Sequence, residues 1–303
     1  MTPDYSLWRP VILGLESPDE DEPLGTKEKA WVVGEDGESR WLLKLARIGK
    51  DRVMGEDWAE WIAARVGRLL GMPCAEVHPA RLGGRRGIIS KNIVALENSE
   101  RLVHGNSLLA ERNSEYDARA PRENPNYTLE AVKEVLTPLD APLSWSGPDA
   151  NAFGVWSGYL AFDALIAGRD RHHENWGVIT TPSGSRLAES YDHGNALGFQ
   201  ESPERHGRMC DNAEMRHRWL EKGKSHHFPG KPTLVELAVA SLKLAGIDHV
   251  EWWRYQLTSI DFDELAAIVN GIPEDIMSEV SRRFVLHLLR DNQRRLMDAL
   301  SGH

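Results

Sequence analysis

Apolar residues fall into short, β-type runs in the first part of the chain and recur at helical spacing through most of the rest. Residues 10–15 form an apolar run that reads as a first strand. Residues 16–29 are acidic and rich in turn formers, and they read as a connection. The runs 30–33 and 40–45 flank a turn holding Gly34, Asp36 and Gly37, the signature of a hairpin. Across 55–70, Trp58, Trp61, Ile62, Val66 and Leu69 recur on one face of a helix, and Gly71 and Pro73 end it. Two further β-type runs follow, 74–79 and 87–90.

Beyond residue 95 the pattern changes. Residues 98–125 are polar and irregular, with Pro121 and Pro125 arguing against a helix. The periodicity predicts helices over 128–136 and 152–167, a compact β section over 176–191, and helices over 234–245, 263–270 and 276–300. Residues 200–232 are polar, with a break at Pro229-Gly230. A β-rich front and a helical back predict an α+β architecture of two segregated halves. The expected division is a small β-rich N-lobe, 1–95, and a larger α-helical C-lobe, 96–303.

Composition narrows the function. A net charge of −10 argues against a nucleic-acid partner, which would require a basic surface to displace counterions. No Lys/Arg run is longer than a pair, as at Arg85-Arg86 and Arg294-Arg295. Cys74 and Cys210 make no disulfide framework and no metal-ligand spacing. No secretory leader and no run of the ~18–20 apolar residues that span a bilayer is present. A cytoplasmic protein without membrane attachment is expected.

The chemistry concentrates between Gly154 and Gly198. An apolar helix breaks at Gly168, and Asp170-Arg171-His172-His173-Glu174-Asn175 follows. A strand, a turn at Pro182-Ser183-Gly184 and a return strand then deliver Tyr191-Asp192-His193-Gly194. Phosphoryl transfer asks for a group that receives or orients the nucleophile's proton and for oxygen ligands that hold Mg²⁺ on the phosphates. Asp170, Asn175 and Asp192 supply that set, since Mg²⁺ takes hard oxygen donors, often one or two carboxylates or amides beside phosphate and water. Taken singly, an Asp and an Asn five residues apart also describe a solvated turn. The order helix, Asp-x-x-x-x-Asn, hairpin, Asp-x-Gly is far more restrictive.

Asp170-x-x-x-x-Asn175 and Asp192-His193-Gly194 resemble the catalytic loop and the metal-binding Asp-x-Gly of the HipA-like Ser/Thr kinases. They are also similar to the corresponding elements of the phosphoinositide kinases. The resemblance runs from about Gly25 to the end and includes the helix end Leu70-Gly71-Met72-Pro73 and the stretch Leu102-Val103-His104-Gly105-Asn106. It implies a bilobal, protein-kinase-like fold. It implies ATP and Mg²⁺ as cofactors, with Asp170 as catalytic base or orienting carboxylate and Asn175 and Asp192 as Mg²⁺ ligands. His172 matches a family histidine beside the catalytic Asp, placed near the transferred phosphate or hydrogen-bonded within the loop. His173 and His193 read as bystanders. The acceptor implied is a Ser or Thr hydroxyl on a protein, with a small molecule or lipid headgroup as the other option. The longer HipA toxins carry an additional N-terminal subdomain that meets a DNA-binding antitoxin. The kinase-like core here begins almost at once, so an antitoxin partner stays open.

The front half should hold the nucleotide. Lys44 lies inside an apolar strand, either as a ligand of the α- and β-phosphates or as an edge-strand charge, and the resemblance favours the first. Its expected partner is Glu60, with Glu56, one turn earlier, in reserve. No G-x-G-x-x-G and no P-loop occurs. Gly25-Thr26-Lys27 is the candidate phosphate cover, although Asp19, Glu20, Asp21 and Glu22 precede it. Arg205, His206, Arg208 and Lys222 are candidates for an acceptor surface. A pseudokinase that binds nucleotide without turnover is the rival reading. Zinc chemistry is disfavoured, because adjacent histidines such as His172-His173 and His226-His227 diverge and no H-E-x-x-H is present.

Overall fold

The computed structural model describes residues 7–14, 18–21, 29–34, 36–120, 122–148 and 151–302. The front half is a six-stranded sheet built from β1 (Val11–Leu13), β2 (Pro18–Asp21), β3 (Lys29–Val33), β4 (Arg40–Leu45), β5 (Val77–Leu82) and β6 (Arg85–Lys91), in the order β1-β5-β6-β4-β3-β2. The β1–β5 pair is parallel and the others are antiparallel. The hairpin β3–β4 forms as its pattern predicts. Asp36 Oδ1 accepts from the backbone N–H groups of Glu38 and Ser39, and Gly37 takes the left-handed φ of +73°. One difference lies in 16–29, read as a connection. Residues 18–21 of it are β2, because pairing with β3 supplies backbone bonds that residue propensity alone does not foresee.

Alternation along β4 sets up the site. Leu43 and Leu45 join Val32, Ala80 and Ile89 in a small core on one face of the sheet. Lys44 must then face the other side, toward α1 (Glu56–Leu69). That helix is buried almost all round, from Glu56 to Gly67, instead of on the single tryptophan face that its pattern suggests. The reason is its position: it packs against β5 and β6, while Trp58, Trp61 and Ile62 belong to the large core shared with the helical half.

The second half contains a three-stranded antiparallel sheet of β7 (Arg101–His104), β8 (Gly177–Thr181) and β9 (Gly184–Leu187). Around it lie α2 (Gly105–Arg112), α3 (Leu129–Leu136), α4 (Ala152–Ile166), α5 (Pro203–Asp211), α6 (Ala213–Glu221), α7 (Leu234–Ala245), α8 (Ile247–Thr258), α9 (Phe262–Asn270) and α10 (Glu279–Ser301). β7 and α2 occupy a stretch read as irregular. Pro121 and Pro125 lie beyond Arg112 and do not interrupt α2. α5 and α6 occupy the polar stretch 200–232. Ser202 and Asn212 cap them by accepting from the backbone N–H groups of Arg205 and Met215. Each helix buries only a narrow stripe, which hides its period in a polar sequence. α4 is the axis of the back half, with every residue from Ala152 to Ile166 buried. Among the described residues no helix is long and apolar enough to cross a membrane.

Candidate active site

Lys44 brings the front half into the site. Its Nζ donates to Glu60 Oε1 at 2.7 Å and to Asp192 Oδ1 at 3.0 Å, with the lysine side chain 7% exposed. Burial opposes its charge, but the Asp192 and Glu60 carboxylates outweigh burial and raise its pKa. Glu60 is thus the partner. Glu56, one turn earlier, pairs with Arg47 instead. Lys29, opposite Lys44 in the β3–β4 register, places its Nζ 4.0 Å from Asp192 Oδ2.

The back half supplies the remaining groups from two loops. α4 closes at Ala167 in a left-handed conformation, and Gly168 N–H donates to Asp163 O at 2.7 Å. The chain then runs through Asp170 to Asn175. Asn175 Nδ2 donates to the Asp170 carbonyl at 2.6 Å, which fixes the orientation of the side-chain amide. After β9, Ser190 is pinned to the segment following α1: its N–H donates to Pro73 O, and its carbonyl accepts from Ala75 N–H, each at 2.9 Å. Asp192 follows with φ +58°, a conformation in which Asp is enriched. At Gly194 a Cβ would lie 3.2 Å from Glu60 Oε2 and 3.4 Å from the Glu56 carbonyl, so glycine permits the close approach to α1.

Asp170, Asn175 and Asp192 line one small cavity together with Arg171, His193 and Asn195. Its volume is about 10 Å³, near the minimum that holds one water. The Asp170 side chain is 42% exposed and accepts from His227 Nε2 at 3.2 Å. Burial raises its pKa, but the hydrogen bond from His227, the nearby His172 and the contact with Asn195 hold it below the usual carboxylate range. His172 accepts the Glu174 N–H on Nδ1 at 3.2 Å, the loop hydrogen bond considered from the sequence, and its ring lies 5.3 Å from that of His227. Burial lowers its pKa and keeps the ring neutral.

His173 and His193 are both buried, the first 2.7 Å from the Tyr116 hydroxyl and the second 2.8 Å from Ser190 Oγ. Gly25, Thr26 and Lys27 lie outside the described residues. His206 cannot form part of an acceptor surface: it is 1% exposed, stacked on Phe284.

Two features were not foreseen. His227 arrives from the loop between α6 and α7, and His226-His227 drew notice only as a poor zinc pair. Arg171 is buried beneath the loop. Its Nε and Nη2 donate to Asp163 at 2.8 Å each, Nη1 to the Asn175 carbonyl at 2.7 Å and Nη2 also to Ser190 Oγ at 3.1 Å. One guanidinium therefore joins α4, the 170–175 loop and the segment leading to Asp192. The available signal was Asp163, the single charged residue of an otherwise apolar helix.

No protein-family model matches the chain, and no curated protein matches it in sequence. Solved structures do. The Helicobacter pylori proinflammatory kinase CtkA is similar at a TM-score of 0.70 and 15% identity, covering 93% of each chain. A chain of the Shewanella oneidensis MR-1 toxin–antitoxin complex of HipA, HipB and operator DNA is similar at 0.54 and 13% identity, covering 92% of this chain and 68% of that one. The chain thus has the bilobal α+β fold of the HipA-like kinases.

Proposed function

We propose that this protein is an ATP- and Mg²⁺-dependent phosphotransferase with residues 1–95 and 96–303 as its two lobes. The observation that carries the reading is the meeting of Lys44 and Glu60 from the front half with Asp192 from the back half, beside Asp170 and Asn175. Residues 148 positions apart in the chain have no local reason to converge.

The donor set fits magnesium. Among the described residues no group of three or more His, Cys, Asp or Glu is placed to hold a metal, but Mg²⁺ on a nucleotide asks for only one or two protein oxygens. The Asn175 amide oxygen and the Asp192 carboxylate would provide them. When bound, the ion would neutralise developing charge on the phosphate oxygens. Lys44, held charged and oriented by Glu60, meets the α- and β-phosphates. Asp170, ionised at neutral pH and reachable from solvent, receives the proton of the acceptor hydroxyl. His227 holds that carboxylate in place, and neutral His172 stands beside it. The resemblance of Asp170-x-x-x-x-Asn175 and Asp192-His193-Gly194 to the motifs of the HipA-like Ser/Thr kinases supports a Ser or Thr hydroxyl on a protein as the acceptor. The free thiols of Cys74 and Cys210 accord with a reduced, cytoplasmic setting.

The test is phosphate transfer from labelled ATP. Asp170→Ala should lower the transfer rate by about 100-fold or more, the scale of a general base, and should retain the Mg²⁺–ATP-dependent rise in melting temperature. Transfer at the unaltered rate would remove Asp170 from the chemistry. Nucleotide binding without turnover in the unmodified protein would favour the pseudokinase.

A further inference from the structure

Arg169, the residue before Asp170, is half-buried. Its guanidinium lies over the Trp219 ring at 4.7 Å. Among the described residues that group makes no hydrogen bond and no ion pair. Stacking on a ring face uses none of its N–H donors, so they stay available. Burial works against its charge, and Glu201 offsets that only in part. The Glu201 carboxylate is already committed: it accepts from Trp219 Nε1 at 2.8 Å and meets Arg205 at 2.9 Å.

Two placements tie Arg169 to the proposed chemistry. A cavity of about 40 Å³ beside it shares Asn195 with the one lined by Asp170, Asn175 and Asp192. Its lining comes wholly from residues 167–219, so the nucleotide-holding front half has no part in it. A Cβ on Gly223 would lie 3.8 Å from Arg169 Nη2, so the guanidinium also reaches the loop between α6 and α7. That loop supplies His227, 3.2 Å from Asp170. From Lys222 to Thr233 the chain carries three lysines and two histidines and no carboxylate, against a net charge of −10 overall. Lys222, Lys224, His226 and Lys231 are exposed. Burial, followed by Arg169, His227, Lys231 and Arg122, holds the His226 pKa below its ordinary value, which places one basic neighbourhood around that ring. Lys231 meets Glu123 at 3.0 Å, but both side chains are exposed and such a pair contributes little.

We infer that this face receives the acceptor and selects for acid: a carboxylate or phosphate flanking the acceptor hydroxyl meets Arg169, and the lysines of 222–233 supply the attracting field. A guanidinium fork fits either oxyanion. The ligand brings the counter-charge that Arg169 lacks among the described residues, which offsets the burial of its charge. This acceptor class rests on the phosphotransfer reading.

Two measurements test it. The first follows transfer from labelled ATP to peptide mixtures with a central Ser and degenerate flanks, one flanking position at a time being fixed as Asp, phosphoserine, Ala or Lys. At one position or more the acidic mixtures should be used about tenfold faster than the Lys mixtures, the factor expected of one charge-assisted contact. The faster of Asp and phosphoserine identifies the oxyanion. Arg169→Gln should bring the acid-to-Lys ratio close to one. His226→Glu, an exposed change that sets a carboxylate within reach of Arg169, should lower the ratio too, and it decides if Arg169→Gln does not fold. The second measurement follows fluorescein-labelled hexa-aspartate and hexa-lysine by anisotropy, without nucleotide or Mg²⁺. Hexa-aspartate should bind more tightly, against the net charge of the protein, and both variants should weaken it. Transfer without acidic preference, or with a preference that survives in the folded variants, overturns the inference and leaves the role of Asp170 standing. If no mixture is phosphorylated, anisotropy decides. Binding of hexa-aspartate that the variants weaken then keeps the acid-selecting face and removes the phosphotransfer reading, and its absence removes both.

Discussion

Arg171 meets Asp163 through two parallel hydrogen bonds of 2.8 Å, while Lys44 divides one charge between Glu60 at 2.7 Å and Asp192 at 3.0 Å. Both groups are buried and both lie in the same site, yet they are built for different ends. The Arg171 and Asp163 side chains are 5% and 7% exposed, and the arginine's further donors are occupied by the Asn175 carbonyl and Ser190. Nothing in that pair is left for a ligand. In the lysine cluster, Glu60 is 3% exposed and Asp192 22%, and Asp192 has a second, looser cation in Lys29 at 4.0 Å. A carboxylate with two cations, one of them distant, can change partners without leaving a buried charge alone. The first pair is scaffold and the second is a contact suited to exchange.

The largest expected effect tests the scaffold. Asp163→Ala would leave the Arg171 guanidinium buried without its counter-charge, a change that costs about 3–5 kcal/mol. For a chain of this size the melting temperature should fall by roughly 10 °C. A fall of only a degree or two in a thermal melt would mean that the guanidinium finds another partner, and the contrast with Lys44 would be lost.

Asp192→Ala should behave in the opposite way. Lys44 keeps Glu60, so the protein without ligand should melt close to its original temperature. The loss should appear when ligand is added. Mg²⁺–ATP at ~100 times its Kd stabilises a one-site protein by about 2.7 kcal/mol, and the Mg²⁺-dependent part of that gain should vanish. If the variant is instead as unstable as Asp163→Ala in the absence of ligand, Asp192 belongs to the scaffold too.

The same contrast explains what could be read from the chain beforehand. β4 and α7 have the bounds that their patterns indicate, Arg40–Leu45 and Leu234–Ala245, because each is apolar enough to show its period and is flanked by turn or capping residues. α2, α5 and α6 could not be read, since each buries only two residues and presents a polar face to water. Asp170, Asn175 and Asp192 could be singled out because their chemistry is tied to a local order of helix, loop and hairpin. His227 could not, because it comes from a loop 57 residues after Asp170. The Arg171–Asp163 pair lay between the two: the charge within α4 was visible, its partner was not.

A buried polar group with no charge at all extends the comparison and carries the smallest of these effects. His206 donates from Nε2 to the Gly198 carbonyl at 3.1 Å, and its Nδ1 lies 2.9 Å from the Ser281 hydroxyl. Burial pushes its pKa down to about 4 from the ordinary 6.5. A group whose folded pKa is depressed contributes stability that is whole above the unfolded value and is lost as pH falls toward the folded one. By pH 5 the loss from His206 should be on the order of 2 kcal/mol. Asp57 acts in the reverse sense over the same window. Burial raises its pKa from 3.8 to about 6, so its contribution is lost as pH rises through 6. Total stability against pH therefore mixes the two, and a difference measurement separates them. Urea unfolding of the unmodified protein and of His206→Gln at pH 7.5 and pH 5 should show the variant losing less on acidification, by about 2 kcal/mol. A glutamine amide at this position can still donate to the Gly198 carbonyl and accept from Ser281, so the comparison removes the proton-binding site and leaves the hydrogen bonds. Equal losses in the two proteins would show that His206 takes up its proton without cost, and that burial there is less complete than its stacking on Phe284 implies.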